Sequence, residues 1–215
     1  HLAGLAHSKS YSDSDYKFVN TEGTLHLASE AAKSGVKRFV YVSSIGVNGS
    51  STNDFPFYPS SDLNPHNNYS KSKYFAEVGL KEISERTGLE VVIVRPTLVY
   101  GLNAPGNFAL LSKFVKKLPL LPFGLINNKR DFIAVQNLVD LLVTCATHPN
   151  AAKNTFLASD CETVSIADFT NAISKAYGKH IFQFPVPPSF IRLGARLLGK
   201  SDLAEQLLCN LHVNK

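Results

Sequence analysis

Apolar positions along the first hundred residues follow two alternating patterns. Over residues 14–34, Val19, Leu25, Ala28 and Ala32 recur about one helical turn apart and Gly35 follows as a stop, which predicts an amphipathic helix. Phe39-Val40-Tyr41-Val42 is a continuous apolar run, the pattern of a parallel strand covered on both faces. Residues 67–87 then read as a long helix closed by Thr87-Gly88, and Val91-Val92-Ile93-Val94 as a second buried strand stopped by Pro96. Strand, helix and strand at this spacing predict right-handed crossovers and an α/β fold with a doubly wound, mostly parallel sheet, in which Val40 and Ile93 are nearly fully buried. His1-Leu2-Ala3-Gly4 reads as the end of a further strand and its turn.

The later half is less regular. Residues 118–124 are apolar and Pro-containing, a structured loop; residues 135–147 are helical; Thr155-Phe156-Leu157 is a short strand. Residues 165–177 carry full helix punctuation, with Ser165 as N-cap, Asp168 three positions on and Gly178 just past the end. Residues 185–188 form a Pro-rich linker, and two amphipathic helices follow to Leu208. There is no internal repeat and no low-complexity tract.

Composition narrows the function classes. With 44% hydrophobic and 18% charged residues, wholesale disorder is excluded. No apolar run approaches the roughly 18–20 residues of a membrane span, so no membrane partner is expected. Basic residues exceed acidic ones by five, but they are scattered and form no stripe interleaved with aromatics. That argues against nucleic acid and favours an anionic small molecule. Three distant cysteines with no CxxC pair, and no signal peptide, point to a reducing cytoplasm. No HxxxH or HExxH pattern marks a metal site, and His7 and His26 read as structural. The chain begins at His1 and contains no Met, which predicts a piece of a longer polypeptide.

The chemistry lies in Ser43-Ser44 after the first strand and Tyr69-Ser70-Lys71-Ser72-Lys73 at the start of the long helix. Tyr69 and Lys73, at i and i+4, share one helix face. A phenol with an ordinary pKa near 10 is a poor acid–base group at neutral pH, and an adjacent ammonium stabilises its phenolate. A serine hydroxyl at a strand's C-terminal end can hold a carbonyl or alkoxide oxygen. Together these groups can move a proton on or off a carbinol while a nicotinamide exchanges hydride, at the edge where doubly wound sheets bind ligands.

Several stretches in fixed order resemble the extended short-chain dehydrogenase/reductases, within them the nucleotide-sugar epimerase/dehydratase family with its Rossmann-like domain. They are His1-Leu2-Ala3-Gly4, Asn20-Thr21-Glu22-Gly23-Thr24, Gly35 through Ser44, Tyr69 through Lys73, Arg95-Pro96-Thr97-Leu98-Val99-Tyr100-Gly101 and Arg130-Asp131-Phe132-Ile133-Ala134-Val135. The resemblance implies Tyr69 as catalytic acid–base, Lys73 as the residue that depresses its pKa and binds the nicotinamide ribose, and Ser44 as the catalytic hydroxyl. It implies cofactor contacts at Leu2, Ala3, Gly4, Asn20, Ser43, Pro96 and Thr97. Substrate contacts would come from Ser44, Leu98, Leu121, Pro122, Phe123 and Arg130. The cofactor the resemblance implies is NAD, with NADP left open. The substrate it implies is a nucleotide sugar, a UDP-sugar first, and a homodimer is the assembly the resemblance allows. Residues 1–101 would be part of the NAD(P)-binding domain and residues 102–215 mainly a substrate-binding lobe, with 131–147 returning to the first domain.

Plainer readings stand beside these. Asn20 can merely satisfy backbone groups, Pro96 stop a strand, Arg130 sit at the surface paired with Asp131, and Phe123 belong to the core. The family's GxxGxxG phosphate loop is absent from these residues, and without it the pyrophosphate has no helix N-terminus to sit on. Leu98 stands where many 4-epimerases have Asn. The resemblance therefore implies a UDP-hexose 4-epimerase first. A 4-keto reductase for a UDP-deoxy-amino sugar is the alternative, supported by the likeness of residues 44–49 and 137–142 to enzymes of surface-polysaccharide synthesis. A non-catalytic dinucleotide-binding protein of the same fold is a third reading.

Overall fold

The computed structural model describes residues 1–6 and 11–214, so the expectation for His7 lies outside the described residues. In chain order the elements are α1 (Asp13–Tyr16), a π-helical segment (Lys17–Gly23), α2 (Thr24–Lys33), β1 (Arg38–Val42), α3 (Asn68–Thr87), β2 (Glu90–Pro96), β3 (Leu98–Tyr100), α4 (Asn107–Lys117), β4 (Leu120–Leu121), β5 (Arg130–Ala134), α5 (Val135–Thr147), β6 (Thr155–Ala158), β7 (Thr163–Val164), α6 (Ile166–Ala176), β8 (Phe182–Gln183), α7 (Pro188–Leu197) and α8 (Ser201–Leu208).

The main sheet runs β1-β2-β6 with every pair parallel. β2 is the middle strand, and its Val91 through Pro96 are all buried, which is why its sequence is apolar without alternation. α2 and α3 cover one face, where Ala28, Tyr41, Leu80, Val91 and Ile93 form a single core. α5 covers the other, over Val92, Val94, Leu138 and Cys145. This is the doubly wound arrangement expected. Val40 departs from the expectation: it is half-buried. It packs at the margin of the α5 core, and the nearby α5 side chains Val139 and Val143 remain exposed, so the cover over this strand is thin. On the far edge of β1 the His1 backbone donates to Val40 O and accepts from Val42 N, the pairing of a strand end.

A second core, Leu111, Val115, Leu121, Phe123, Phe132, Ile166, Phe169 and Leu208, joins α4, α6 and α8 over β3-β5-β7. Phe132 and Phe169 stack in parallel with centroids 3.8 Å apart. Residues 118–124 are ordered by a two-residue parallel pairing of β4 with β8. The last described segment then crosses back. The Leu211 N–H donates to Lys129 O and the Asp131 N–H to Leu211 O, while the Phe57 N–H donates to His212 O.

Candidate active site

α3 positions the reactive groups, and its start is firmly set. Asn67 caps it, with the Asn67 side chain accepting from Ser70 N and the Ser70 hydroxyl accepting from Asn67 N. At the other end Gly88 takes a left-handed φ of 79° and closes the helix. Tyr69 thus enters in the first turn, Lys73 in the second, and both face the C-terminal end of β1.

Past β1, the Ser43 N–H continues the ladder to Val94 O. Ser44 is extended and caps a short 3₁₀ turn over Ile45–Val47, its hydroxyl accepting from Gly46 N at 3.1 Å. The same hydroxyl lies beside the Tyr69 phenol. Tyr16 packs edge-on against the Tyr69 ring at 6.3 Å. Burial holds the phenol above its ordinary pKa, with the neighbouring Ser44 hydroxyl pulling it back down.

Lys73 is only 4% exposed. Its ammonium donates to Val42 O at 3.0 Å and lies 4.8 Å from the Tyr41 ring centroid and 5.9 Å from that of Tyr69. Burial lowers its pKa to about 8, with the Glu77 charge acting in the opposite sense. An ammonium has three donors, and the Val42 carbonyl takes one.

That shift has a consequence for stability. Unfolded, Lys73 holds its proton up to its ordinary value of 10.5; folded, it releases it near 8. Between the two the unfolded chain binds the extra proton, so stability rises with pH across this window, while below about 8 the full desolvation cost remains. Urea unfolding of the wild type and Lys73→Met should show Lys73→Met favoured near pH 8, with the difference narrowing toward pH ~10. A constant difference would contradict the burial of the ammonium.

The other expected site residues divide into groups. Gly4 adjoins the cluster: a Cβ there would come within 2.9 Å of Asn20 Oδ1 and 3.4 Å of Lys73 Nζ. Bare backbone beside the ammonium fits a cofactor lying close to the chain. Leu2 and Ala3 beside it are exposed. Asn20 is fully buried, takes the Leu5 N–H at 2.7 Å, and donates to Leu5 O and Ser72 Oγ. It does satisfy backbone groups, and by doing so it ties the 1–6 segment to α3. Pro96 ends β2 opposite Ala158, and the Thr97 N–H and hydroxyl both donate to Ala158 O. Leu98 and Arg130 line one small cleft between α4 and α8. Arg130 is buried, with its pKa lowered to about 10 by desolvation, and it donates to Cys209 O, so it is not a surface arginine. Leu121 and Phe123 are buried in the second core, and Pro122 lies half-buried between them.

A cavity of about 870 Å³ lies between α4 and α6, walled by Tyr100, Phe108, Phe132 and Phe169. None of Ser44, Tyr69 and Lys73 lines it, so size alone is a poor guide to the chemistry. Two residues not singled out from sequence belong beside the cluster. Glu77, one further turn along α3, and Arg95 on β2 form a buried ion pair at 2.5 Å. The visible signal was a lone arginine inside a buried strand.

A model of the NAD dependent epimerase/dehydratase family matches residues 1–158. The UDP-glucose 4-epimerase of Vibrio cholerae is 42% identical over 220 residues, covering 100% of this chain and 67% of that protein. Among solved structures, UDP-N-acetylglucosamine 4-epimerase from Methanobrevibacter ruminantium, in complex with UDP-N-acetylmuramic acid, superposes with a TM-score of 0.73 at 22% identity, covering 87% of this chain and 63% of the other. UDP-glucose 4-epimerase from Thermotoga maritima, with UDP-glucose, gives 0.70 at 18% identity, covering 98% and 67%. At these identities the two structures bear on the fold alone, and this chain spans about two thirds of the length of each of the three proteins. The family pattern runs through the strand end, the Tyr69–Lys73 helix and the returning β6, and with it the chain belongs to the NAD dependent epimerase/dehydratase family.

Proposed function

We propose that the protein is an NAD-dependent nucleotide-sugar 4-epimerase acting on a UDP-hexose. The observation that carries this reading is the Ser44 hydroxyl beside the Tyr69 phenol, with the buried Lys73 ammonium beneath it. The 42% identity to a UDP-glucose 4-epimerase gives the substrate class. Tyr69 takes the proton from the sugar's 4-hydroxyl and later returns it. Ser44 holds the oxygen as it becomes a carbonyl. Lys73 stabilises the phenolate and offers its remaining donors to the cofactor ribose. NAD supplies the hydride exchange at the sugar carbon.

Gly4 and its neighbours Leu2 and Ala3, backed by Asn20, Ser43, Pro96 and Thr97, would hold NAD. Leu98, Leu121, Pro122, Phe123 and Arg130 belong to the substrate side, and residues 1–101 and 102–215 divide between the two roles, with 131–147 returning to the first. β6 pairs with β2, so residues 155–158 also serve the first. A homodimer would cover Phe18, Leu27, Phe75 and Val78, which are exposed on the helices of one face of the sheet. No helix among the described residues is long and apolar enough to cross a membrane. The three free cysteines fit a cytoplasmic setting. Leu98 favours one rival, the 4-keto reductase, because an apolar side chain beside Arg130 removes a polar partner for the sugar or diphosphate.

The test is cofactor bookkeeping in the full-length gene product. An epimerase needs the same hydride back, so it should retain NAD through purification and interconvert UDP-glucose and UDP-galactose, or their N-acetyl forms, with none added. Stoichiometric consumption of reduced nicotinamide with a 4-keto sugar nucleotide, and no interconversion, would replace this reading with the reductase.

A further inference from the structure

Glu77 and Arg95 are each 1% exposed, and their contacts reach every element that carries the site. Glu77 Oε1 accepts from the Ser43 hydroxyl at 2.5 Å and from Arg95 Nε at 2.9 Å; Oε2 accepts from Arg95 Nη2 at 2.5 Å. Arg95 Nη1 donates to Asn48 Oδ1 at 3.0 Å, and Asn48 lies just past the turn that Ser44 caps. The network therefore joins α3, the end of β1, β2 and that turn. Along α3, Tyr69, Lys73 and Glu77 follow at successive turns of one face.

We propose that Glu77, held in place by Arg95, is a positioning residue that fixes the Ser43-Ser44 strand end and keeps Lys73 an ammonium. This inference rests on the reading of Ser44, Tyr69 and Lys73 as the reacting groups.

Two arguments support it. Stability alone gives little reason for a charge pair at this depth, because well-packed apolar replacements of buried ion pairs are commonly neutral or stabilising. Among the described residues, the surroundings of Lys73 also leave Glu77 as its source of negative charge. The titratable and charged groups facing it are Tyr69 and Glu77 on α3 and Tyr41 on β1, with Arg95 on β2 beyond Glu77. Burial drives Lys73 toward the neutral amine, and the Glu77 carboxylate opposes it. A neutral Lys73 would have no charge with which to stabilise the Tyr69 phenolate.

The experiment follows the Lys73 ε-carbon NMR resonance against pH in the full-length protein. Three forms are compared: wild type, Glu77→Gln, and the double variant Glu77→Leu/Arg95→Met, which removes both charges and keeps an apolar packing. Glu77→Gln strands the Arg95 charge and can fail to fold, in which case the double variant decides. Both substituted forms should show a Lys73 midpoint about one pH unit or more below wild type. Turnover near the wild-type midpoint should fall about fivefold or more, with KM little changed, because the phenolate loses its counter-charge. A folded double variant whose Lys73 midpoint equals the wild type's would overturn the proposal and leave Glu77 a purely structural residue. An inactive wild type whose Lys73 midpoint still depends on Glu77 would reject the epimerase reading and keep this one.

Discussion

Replacing Tyr69 by Phe should lower turnover by roughly 10²-fold or more while leaving the fold intact. The substitution removes one oxygen. The ring stays, so the edge contact with Tyr16 and the place of the side chain in the first turn of α3 are retained. Lys73 keeps its bond to Val42 O. What disappears is the phenol beside Ser44, and with it the group that takes and returns the proton of a 4-hydroxyl. An epimerase and a 4-keto reductase need that transfer alike, so the variant tests the enzyme class and not the choice within it. The comparison is kcat on UDP-sugars, with thermal unfolding as the control for the fold. Near-normal turnover in a folded Tyr69→Phe protein would remove the catalytic assignment.

The largest loss of stability is expected in the second core. Phe132→Ala should cost about 3–5 kcal/mol. Phe132 is 3% exposed and stacks face to face on Phe169, which in turn meets Tyr100 edge-on at 5.5 Å. Deleting the ring loses apolar burial and leaves a hole between β5 and α6 that the aromatic neighbours fill only in part. Phe132→Leu, which keeps most of the volume, should lose less. Urea unfolding measures both. A change below about 1 kcal/mol for Phe132→Ala would mean that the stack is not part of the cooperative core.

Much of this arrangement was legible in the sequence because it is written locally. α6 announces itself through Ser165, Asp168 and Gly178, and the structure contains that capping box. α3 ends at the glycine that favours a left-handed φ. β2 is a run of apolar residues because both of its faces are covered. Asn20 was legible as a residue near the site, and the plainer reading of it as a backbone satisfier is also met. Other features depend on partners far away in the chain. β3 has three residues and β7 two, too short for any period to show; they are strands because β5 lies between them. Val40 looks like its neighbours but lies under a thinner cover. Glu77 reads as one more charged helix residue until Arg95 and Ser43 are brought against it.

The crossing of the last described segment sets an order of events during folding. Thr52 and His212 share a hydrogen bond across 160 positions, and the Thr52 N–H donates to Asn210 O. Asn214 in turn donates its N–H to Phe57 O. The entropy of closing so long a loop must be met before these contacts form, whereas the β1-α3-β2 unit closes through separations of about 50 residues, such as Arg38 to Glu90. Residues 52–57 lie between the Ser44 turn and the start of α3, so the stretch joining the two halves of the chemistry gains these long-range anchors only when residues 210–214 arrive, and before that is held by local bonds such as Asn64 N–H to Val47 O. A nascent chain still lacking Asn210 through Asn214 would have Ser44 and Tyr69 on formed elements, with residues 52–57 between them without their long-range partners.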